Sequence, residues 1–318
     1  MMESKSYPLL AIDGGGTKTI AVITDLKGNI LASGRSQASN YQAIGKEVAK
    51  ANLQTVIKEV INKVCGLDTT IRFDKVVLAL AGIDTEFDQL FIKGLIEDLC
   101  HQINVKYNQL IIENDALSAL LGLTCNQPGA VLISGTGSVA YAHNGTGIIA
   151  RSGGWGHIVG DEGSGYWIGK EAIRAILKMA DGRGSPTILK EKILEKLQLF
   201  SIDELYNWVY GNQCSVNTVS ELAIIVDEYS TKGDAVAKAI IEKASEELIS
   251  LLLIVMKKAD IDRSAVAKIV LQGGVLMHNK FIRQQLQKKL ENQFPQSILI
   301  NADLEPIEYI IRRGLTVR

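Results

Sequence analysis

The sequence predicts an α/β protein built as two lobes that follow one plan. Three observations carry this expectation. A chain of 318 residues is about two domains long at roughly 150 residues each. Its pattern runs strand, glycine turn, strand, turn, strand and then helices, and afterwards the same order begins again. Finally, 12 of the 29 glycines lie in the 41 residues from Gly129 to Gly169, as expected where backbone bends sharply or approaches a ligand closely.

The first round opens on the apolar run Leu9–Ile12, followed by Asp13-Gly14-Gly15-Gly16-Thr17 and the β-branched strand Thr19–Thr24. Asp25–Asn29 reads as a turn and Ile30–Ser33 as a third strand, which completes an antiparallel meander. Lys46–Val64 is a helix, because Leu53, Val56, Ile57, Val60, Ile61 and Val64 recur at helical spacing. Val76–Ala81 and Gln109–Glu113 are strands, with helical stretches between and after them. The second round has strands at Ala130–Ser134, Val139–Ala142 and Ile148–Ser152, joined by turns at Gly135–Ser138 and His143–Gly147. Helices follow near 163–180, 188–197, 202–210, 217–230 and 234–259, then a strand Lys268–Leu271, a helix 279–292, a strand Ile298–Asn301 and a last helix from Glu305. The N-terminal lobe is expected at 1–117, rejoined by the C-terminal helix 304–318, and the larger lobe at 118–303.

Composition excludes several classes. Hydrophobic residues are 47% and charged residues 22%, with 34 Lys and Arg against 35 Asp and Glu, which is not the composition of a disordered chain. The missing basic excess argues against a nucleic-acid partner. The most apolar stretch, Leu248–Met256, is closed by Glu246-Glu247 and Lys257-Lys258, far short of the ~20 apolar residues of a spanning helix. Only Leu9–Ile12 precede Asp13 near the N-terminus, too few for a signal-peptide core, so the cytoplasm is the expected compartment. Cys65, Cys100, Cys125 and Cys214 are widely spaced without a CxxC pair and read as small buried apolar residues.

The glycine turns, Gly14–Lys18 and Gly135–Ser138, each sit between the first two strands of a round. Clustered backbone N–H groups in such turns bind anions without a cationic protein. A branched side chain at Gly135 is expected to obstruct that approach and to disfavour a positive φ. Thr17 and Thr136 add hydroxyl donors, and Lys18 either reaches a phosphate or is a solvated strand residue. Asp13, at the tip of the first strand, is either an ordinary turn aspartate or a Mg²⁺ partner acting through water. Asp115 directly follows the strand Gln109–Glu113 and is either a helix N-cap or a base facing a cleft. Rival nucleotide motifs fail. Gly165 and Gly169-Lys170 are too close for a P-loop, and Glu171 follows the lysine. Gly135-x-Gly137-x-x-Ala140 runs on as a strand rather than opening the helix that a dinucleotide fingerprint needs.

Asp13-Gly14-Gly15-Gly16-Thr17-Lys18-Thr19 with Ser134-Gly135-Thr136-Gly137-Ser138 resembles the two phosphate motifs of the acetate kinase/hexokinase/actin superfamily. Gly153-Gly154-Trp155-Gly156-His157-Ile158-Val159-Gly160-Asp161-Glu162-Gly163-Ser164 is very similar to the eukaryotic-type N-acetylglucosamine kinases, within the BadF/BadG-type ATPase family. The likeness runs from about residue 9 to 313. It implies two duplicated ribonuclease H-like lobes with an ATP cleft between them, and ATP with Mg²⁺ as cofactors. The substrate it implies is an amino sugar phosphorylated at its C6 hydroxyl, N-acetylglucosamine first and N-acetylmuramic acid as an open second. It makes Asp115 the base that takes the hydroxyl proton. Gly273-Gly274 resembles the adenosine-contacting turn. Asn40 matches a sugar-binding asparagine, and Gly154, Trp155, Gly156 and Asp161 face the sugar, Asp161 with the N-cap role still open. Relatives of this kind are often homodimers.

Three rivals belong to other readings. A glucosamine kinase differs only in its sugar. An ATPase activator of a reductive dehydratase needs thiolate ligands for an iron–sulfur cluster, and the motif regions lack the expected cysteines. A sugar sensor without catalysis has no use for Asp115. His143 and His157 pair with no second histidine at ligand spacing and are left outside catalysis.

Overall fold

The computed structural model describes residues 4–65 and 70–316. The expected lobe ends at 1–3 and 317–318 lie outside the described residues. The chain divides into two compact units, Met1–Gln127 with Ala302–Arg318, and Pro128–Asn301.

The first unit contains β1 (Ser4–Gly14), β2 (Lys18–Thr24), β3 (Ile30–Gln37), α1 (Tyr41–Ile44), α2 (Lys46–Val64), β4 (Thr70–Leu80), α3 (Glu86–Gln102), β5 (Val105–Glu113) and α4 (Asp115–Thr124). Its sheet order is β3-β2-β1-β4-β5. The expected meander is antiparallel, while β1, β4 and β5 run parallel. β1 is apolar at successive residues because both of its faces are covered. Leu10 and Ile12 join the core beneath α2 and α3. Leu9 and Ala11 face the opposite way, against Ile307, Ile310 and Ile311.

The second unit repeats this topology with β6 (Gly129–Ser134), β7 (Ser138–His143), β8 (Ile149–Gly153), α5 (Gly165–Ala180), α6 (Leu189–Leu197), α7 (Ile202–Val209), α8 (Val216–Thr231), α9 (Ala235–Lys258), β9 (Lys268–Gln272), α10 (Gly274–His278), α11 (Lys280–Gln293) and β10 (Ile298–Ile300). The order β10-β9-β6-β7-β8 matches the first sheet strand for strand. In α9, Ala244, Leu248 and Leu252 share a core with Leu132, Ala140 and Ala142 of the sheet. The apolar run Leu248–Met256 thus belongs to a core helix, and no described helix is long and apolar enough to cross a membrane.

The final helix, α12 (Pro306–Thr316), returns to the first unit. It packs on α4 so closely that a Cβ at Gly122 would overlap the Tyr309 carbonyl. α4 therefore belongs with the first unit, and the division falls after Gln127, where the sequence suggested 117. β1, β3 and β4 are also longer than their apolar runs. In β4, Ile71 and Phe73 are buried while Arg72 and Asp74 are exposed, so alternation carries the strand upstream of Val76. The polar end of β3 pairs fully with β2, as far as Gln37 with Lys18.

Gly122→Val should lower stability by about 1–3 kcal/mol or more, the range for overpacking a close contact. Chemical denaturation checks this, and an unchanged midpoint would contradict the α4–α12 packing.

Candidate active site

In the first unit the functional groups gather at the carboxyl ends of adjacent strands, where open α/β sheets place their ligands. β1 ends at Asp13-Gly14, β4 leads into Gly82-Ile83-Asp84, and β5 leads into Asn114-Asp115. The turn after β1 is held at several points. Gly15 N–H donates to the Lys18 carbonyl at 2.9 Å, Ala81 N–H donates to the Gly14 carbonyl at 2.8 Å, and Ser39 N–H donates to the Gly15 carbonyl at 3.2 Å. Gly14 is glycine for packing, since a Cβ would strike the Ser39 hydroxyl and Leu80. Gly16 has open space about it, and Thr17 and Lys18 are exposed beside it. Their backbone is accessible to an anion.

Asp115 is the first residue of α4, but it is not the cap. Asn114 is, its Oδ1 accepting from Ala116 N–H at 2.9 Å and Leu117 N–H at 3.4 Å. Asp115 Oδ1 also accepts from Ala116 N–H at 2.9 Å. Burial raises the Asp115 pKa, the Ala116 N–H opposes that, and the Asp84 carboxylate adds to it. Asp13 is raised to about 6, by burial first, then by Asp115 and Glu305, with Lys18 opposing. A carboxylate raised toward neutrality is a better proton acceptor.

Asp84 was not singled out from the sequence, although it occupies the strand-end position that drew attention to Asp115. It accepts from Asn114 Nδ2 at 3.3 Å. Asn40 caps α1, accepting from Gln42 N–H at 3.1 Å. Gly82, at φ +82°, lies against the Asn40 amide with no room for a Cβ. The loops bearing Asn40 and Asp84 are joined through buried Asp88. Its carboxylate accepts from the Asp84 and Thr85 amides at 3.0 and 2.7 Å, the Thr85 hydroxyl at 2.7 Å, the Gln42 amide at 3.2 Å and the Tyr41 hydroxyl. Burial pushes the Asp88 pKa up, but the Tyr41 and Thr85 hydroxyls and the two amides outweigh it and hold the carboxyl at about 2.

In the second unit the β6–β7 turn closes with Gly135 N–H donating to the Gly137 carbonyl at 3.0 Å. The segment 162–166 is fastened to it. Gly165 N–H donates to the Gly135 carbonyl at 2.7 Å, Ser134 Oγ to the Gly163 carbonyl at 2.9 Å, and Ser138 Oγ to the Glu162 carbonyl at 2.7 Å. The Ser138 hydroxyl is therefore engaged in structure. Gly135 does not have the positive φ expected of it; that conformation belongs to Gly273, at φ +93°, whose Cβ would overlap the Ser134 carbonyl. The Gly273 Cα lies 3.8 Å from where a Gly135 Cβ would stand.

Gly153, Gly154 and Gly156 all take positive φ. Gly154 N–H donates to the Ser138 carbonyl at 2.8 Å, and Arg151 donates to the Gly154 carbonyl while lying 4.9 Å from the Trp155 ring centre. Trp155 is 67% exposed. Asp161, at φ +56°, does not cap the next helix, because Ser164 does, accepting from Trp167 N–H at 3.1 Å. The Asp161 carboxylate instead accepts from the Ser138 and Gly156 amides, and burial raises its pKa against them. A Cβ at Gly137 would stand 2.8 Å from Asp161 Oδ2. His143 is structural, accepting at Nδ1 from Gly145 N–H at 3.2 Å, and His157 packs edge-on against Tyr166.

A cavity of about 650 Å³ opens beside the second glycine turn. Gly135, Thr136 and Gly274 line one part of it, and Ile224 and Asp227 of α8 line another. The sequence pointed to the turns but not to the α8 wall.

Asp88→Asn should cost about 1–3 kcal/mol at neutral pH, the penalty for disturbing a buried hydrogen-bonded group. The wild-type pKa is depressed, so its contribution is present above about 4 and lost as pH falls toward about 2. The variant's stability should accordingly fall less steeply over that window. Parallel denaturation curves across acid pH would contradict this.

The sequence matches the BadF/BadG/BcrA/BcrD ATPase family over residues 10–308. It is 34% identical over 304 residues to an N-acetyl-D-glucosamine kinase of Dictyostelium discoideum, covering 93% of this chain and 94% of that one. It is 35% identical over 293 residues to an N-acetylmuramic acid/N-acetylglucosamine kinase of Clostridium acetobutylicum, covering 92% and 93%. A solved structure from Chromobacterium violaceum shares the fold with a TM-score of 0.64 at 21% identity, covering 96% of this chain and 98% of that chain. So does a ROK family glucokinase from Streptomyces griseus in complex with glucose and AMPPNP, with a TM-score of 0.50 at 14% identity, covering 96% and 97%. With the duplicated sheet order and both glycine turns in place, the match over most of its length makes this chain a member of the BadF/BadG/BcrA/BcrD ATPase family.

Proposed function

We propose that this protein is an ATP-dependent amino-sugar kinase that phosphorylates the C6 hydroxyl of N-acetylglucosamine. The observation that carries the reading is Asp115, a half-buried carboxylate of raised pKa at a strand's end, with the capping role taken by Asn114. The two kinase relatives, alike over nine-tenths of the chain, supply the substrate class.

Asp115 accepts the proton of the C6 hydroxyl as the oxygen attacks the γ-phosphorus. The bond from phosphorus to the ADP oxygen breaks, leaving the sugar 6-phosphate and ADP. Phosphoryl transfer asks mainly for positioning and charge neutralisation. The turns Gly14–Gly16 and Gly135–Ser138 receive the phosphates, held by the amides of Gly16 and Gly137, the Thr17 and Thr136 hydroxyls and Lys18, while the amides of Gly15, Gly135 and Ser138 are engaged in shaping the turns. Asp13 would hold Mg²⁺, an ion commonly bound by one or two carboxylates plus substrate phosphates, and the ion would supply neutralisation of phosphate charge. A side chain is excluded at Gly273, where a Cβ would overlap the Ser134 carbonyl, and this close backbone supports a nucleotide beside the second glycine turn.

Asn40, the backbone of Gly154, Trp155 and Gly156, and Asp161 bind the sugar. Each Asp161 oxygen that accepts an amide keeps a second lone pair for a sugar hydroxyl. N-acetylmuramic acid is a second substrate on this reading, because the Clostridium relative carries both sugars in its name. The reading includes a homodimer in the cytoplasm, with oligomeric state read by sedimentation.

A coupled assay of ADP release over N-acetylglucosamine, N-acetylmuramic acid, glucosamine and glucose tests the substrate. N-acetylglucosamine should exceed glucose by at least about 10²-fold in kcat/KM, since a site that binds the acetamido group rejects sugars leaving it unpaired. Equal turnover of glucose would refute the acetamido reading. Asp115→Ala should lower kcat by about 10²–10⁴ with ADP binding retained, and Asn40→Ala should raise the sugar KM. Near-wild-type turnover without Asp115 would remove the base.

A further inference from the structure

The cavity beside the second glycine turn has a polar end away from that turn. At the near end, the Ser220 carbonyl lies 3.2 Å from where a Gly165 Cβ would stand, and Gly165 N–H donates to Gly135. Asp227 follows seven residues later on α8, roughly 10 Å farther along the axis at 1.5 Å per residue. Between them Ile224, 71% exposed, presents an apolar side chain to the cavity, and Val275 of α10 does the same from another wall. Phosphate-binding turn, apolar walls and distant polar group follow the order of the parts of a nucleotide.

The polar end is built to hold Asp227 in place. Asn279 is 3% exposed, and its Nδ2 donates to Asp227 Oδ1 at 2.6 Å. Its own Oδ1 caps α11 by accepting from Ile282 N–H at 2.8 Å. Both halves of the Asn279 amide are thus committed, which leaves Asp227 Oδ2 as an acceptor in the cavity that Asp227 lines with His278 and Asn279. A fixed carboxylate oxygen suits an N–H donor and disfavours a carbonyl, whose lone pairs it would repel.

We propose that Asp227 Oδ2 accepts a hydrogen bond from the exocyclic amine of adenine and selects the 6-amino purine over purines with oxygen or hydrogen at that position. This rests on the nucleotide-binding reading above. Asp227 is here a specificity residue for the donor nucleotide, with no part in sugar binding.

The test compares ATP, inosine triphosphate and purine riboside triphosphate as donors, in wild type and in Asp227→Asn. Asparagine keeps a carbonyl oxygen for Asn279 and exchanges the other acceptor for a donor. Wild type should prefer ATP by about 10- to 100-fold in kcat/KM, the worth of one hydrogen bond to a charged group. In Asp227→Asn the ratio of ATP to inosine triphosphate should fall at least about tenfold, with the sugar KM unchanged. Equal use of all three nucleotides by wild type, which needs no variant to fold, would overturn the proposal. So would an equal loss for all three in Asp227→Asn, which marks a purely structural role or a contact to ribose. If no sugar is phosphorylated with any donor, the kinase reading fails, and calorimetric affinities for ADP against inosine diphosphate decide the role of Asp227 separately.

Discussion

Like charges brought together at a sheet edge govern the first unit. Asp13 at the end of β1, and Asp84 and Asp115 after the ends of β4 and β5, sit on three parallel neighbours, so strand order alone brings carboxylates into one another's fields. Burial and mutual repulsion raise Asp13 and Asp115. The surroundings are constrained to keep them there. Asp88, fully provided with donors, binds the Asp84 loop to the Asn40 segment. Arg313 of the returning helix grips Glu113 at 2.5 Å, directly ahead of Asn114 and Asp115. Asp88 is surrounded by donors that outweigh burial and lower its pKa, whereas at Asp13 and Asp115 burial and neighbouring carboxylates outweigh the Lys18 charge and the Ala116 amide.

The second unit uses backbone rather than charge. Its turn is braced from below by the Ser134 and Ser138 hydroxyls and by the amides of α5, so Gly135 to Gly137 keep their shape without side chains. Asp161 extends the bracing to the Trp155 loop by accepting an amide from each side. Turn amides attract anions without excess cationic residues, in keeping with a chain of 34 basic and 35 acidic residues.

Much of this was legible in the sequence because the repeated strand and glycine-turn pattern is local. Both meanders and the core helices follow from apolar spacing, and the return of the last helix was expected together with the family resemblance. What escaped depends on partners distant in the chain. The upstream half of β4 has alternating polar residues, and its pairing with β1 and β5 is what makes it a strand. Asp84 looked like a loop residue until β4 and β5 were side by side. Asp227 sits on an ordinary amphipathic helix, and only its contact with Asn279, 52 residues away, distinguishes it. Two capping questions were undecidable from spacing because adjacent polar residues compete for one cap; Asn114 and Ser164 hold those positions, leaving Asp115 and Asp161 for other work.

The central claim is the proposed transfer of phosphate from ATP to the sugar's primary hydroxyl. Phosphorus–proton correlation NMR of the product formed from ATP and N-acetylglucosamine tests it most directly. The account predicts a phosphorus signal coupled to the C6 methylene protons of the sugar. Inorganic phosphate as the main product, or a phosphorus coupled to the anomeric proton, would contradict it.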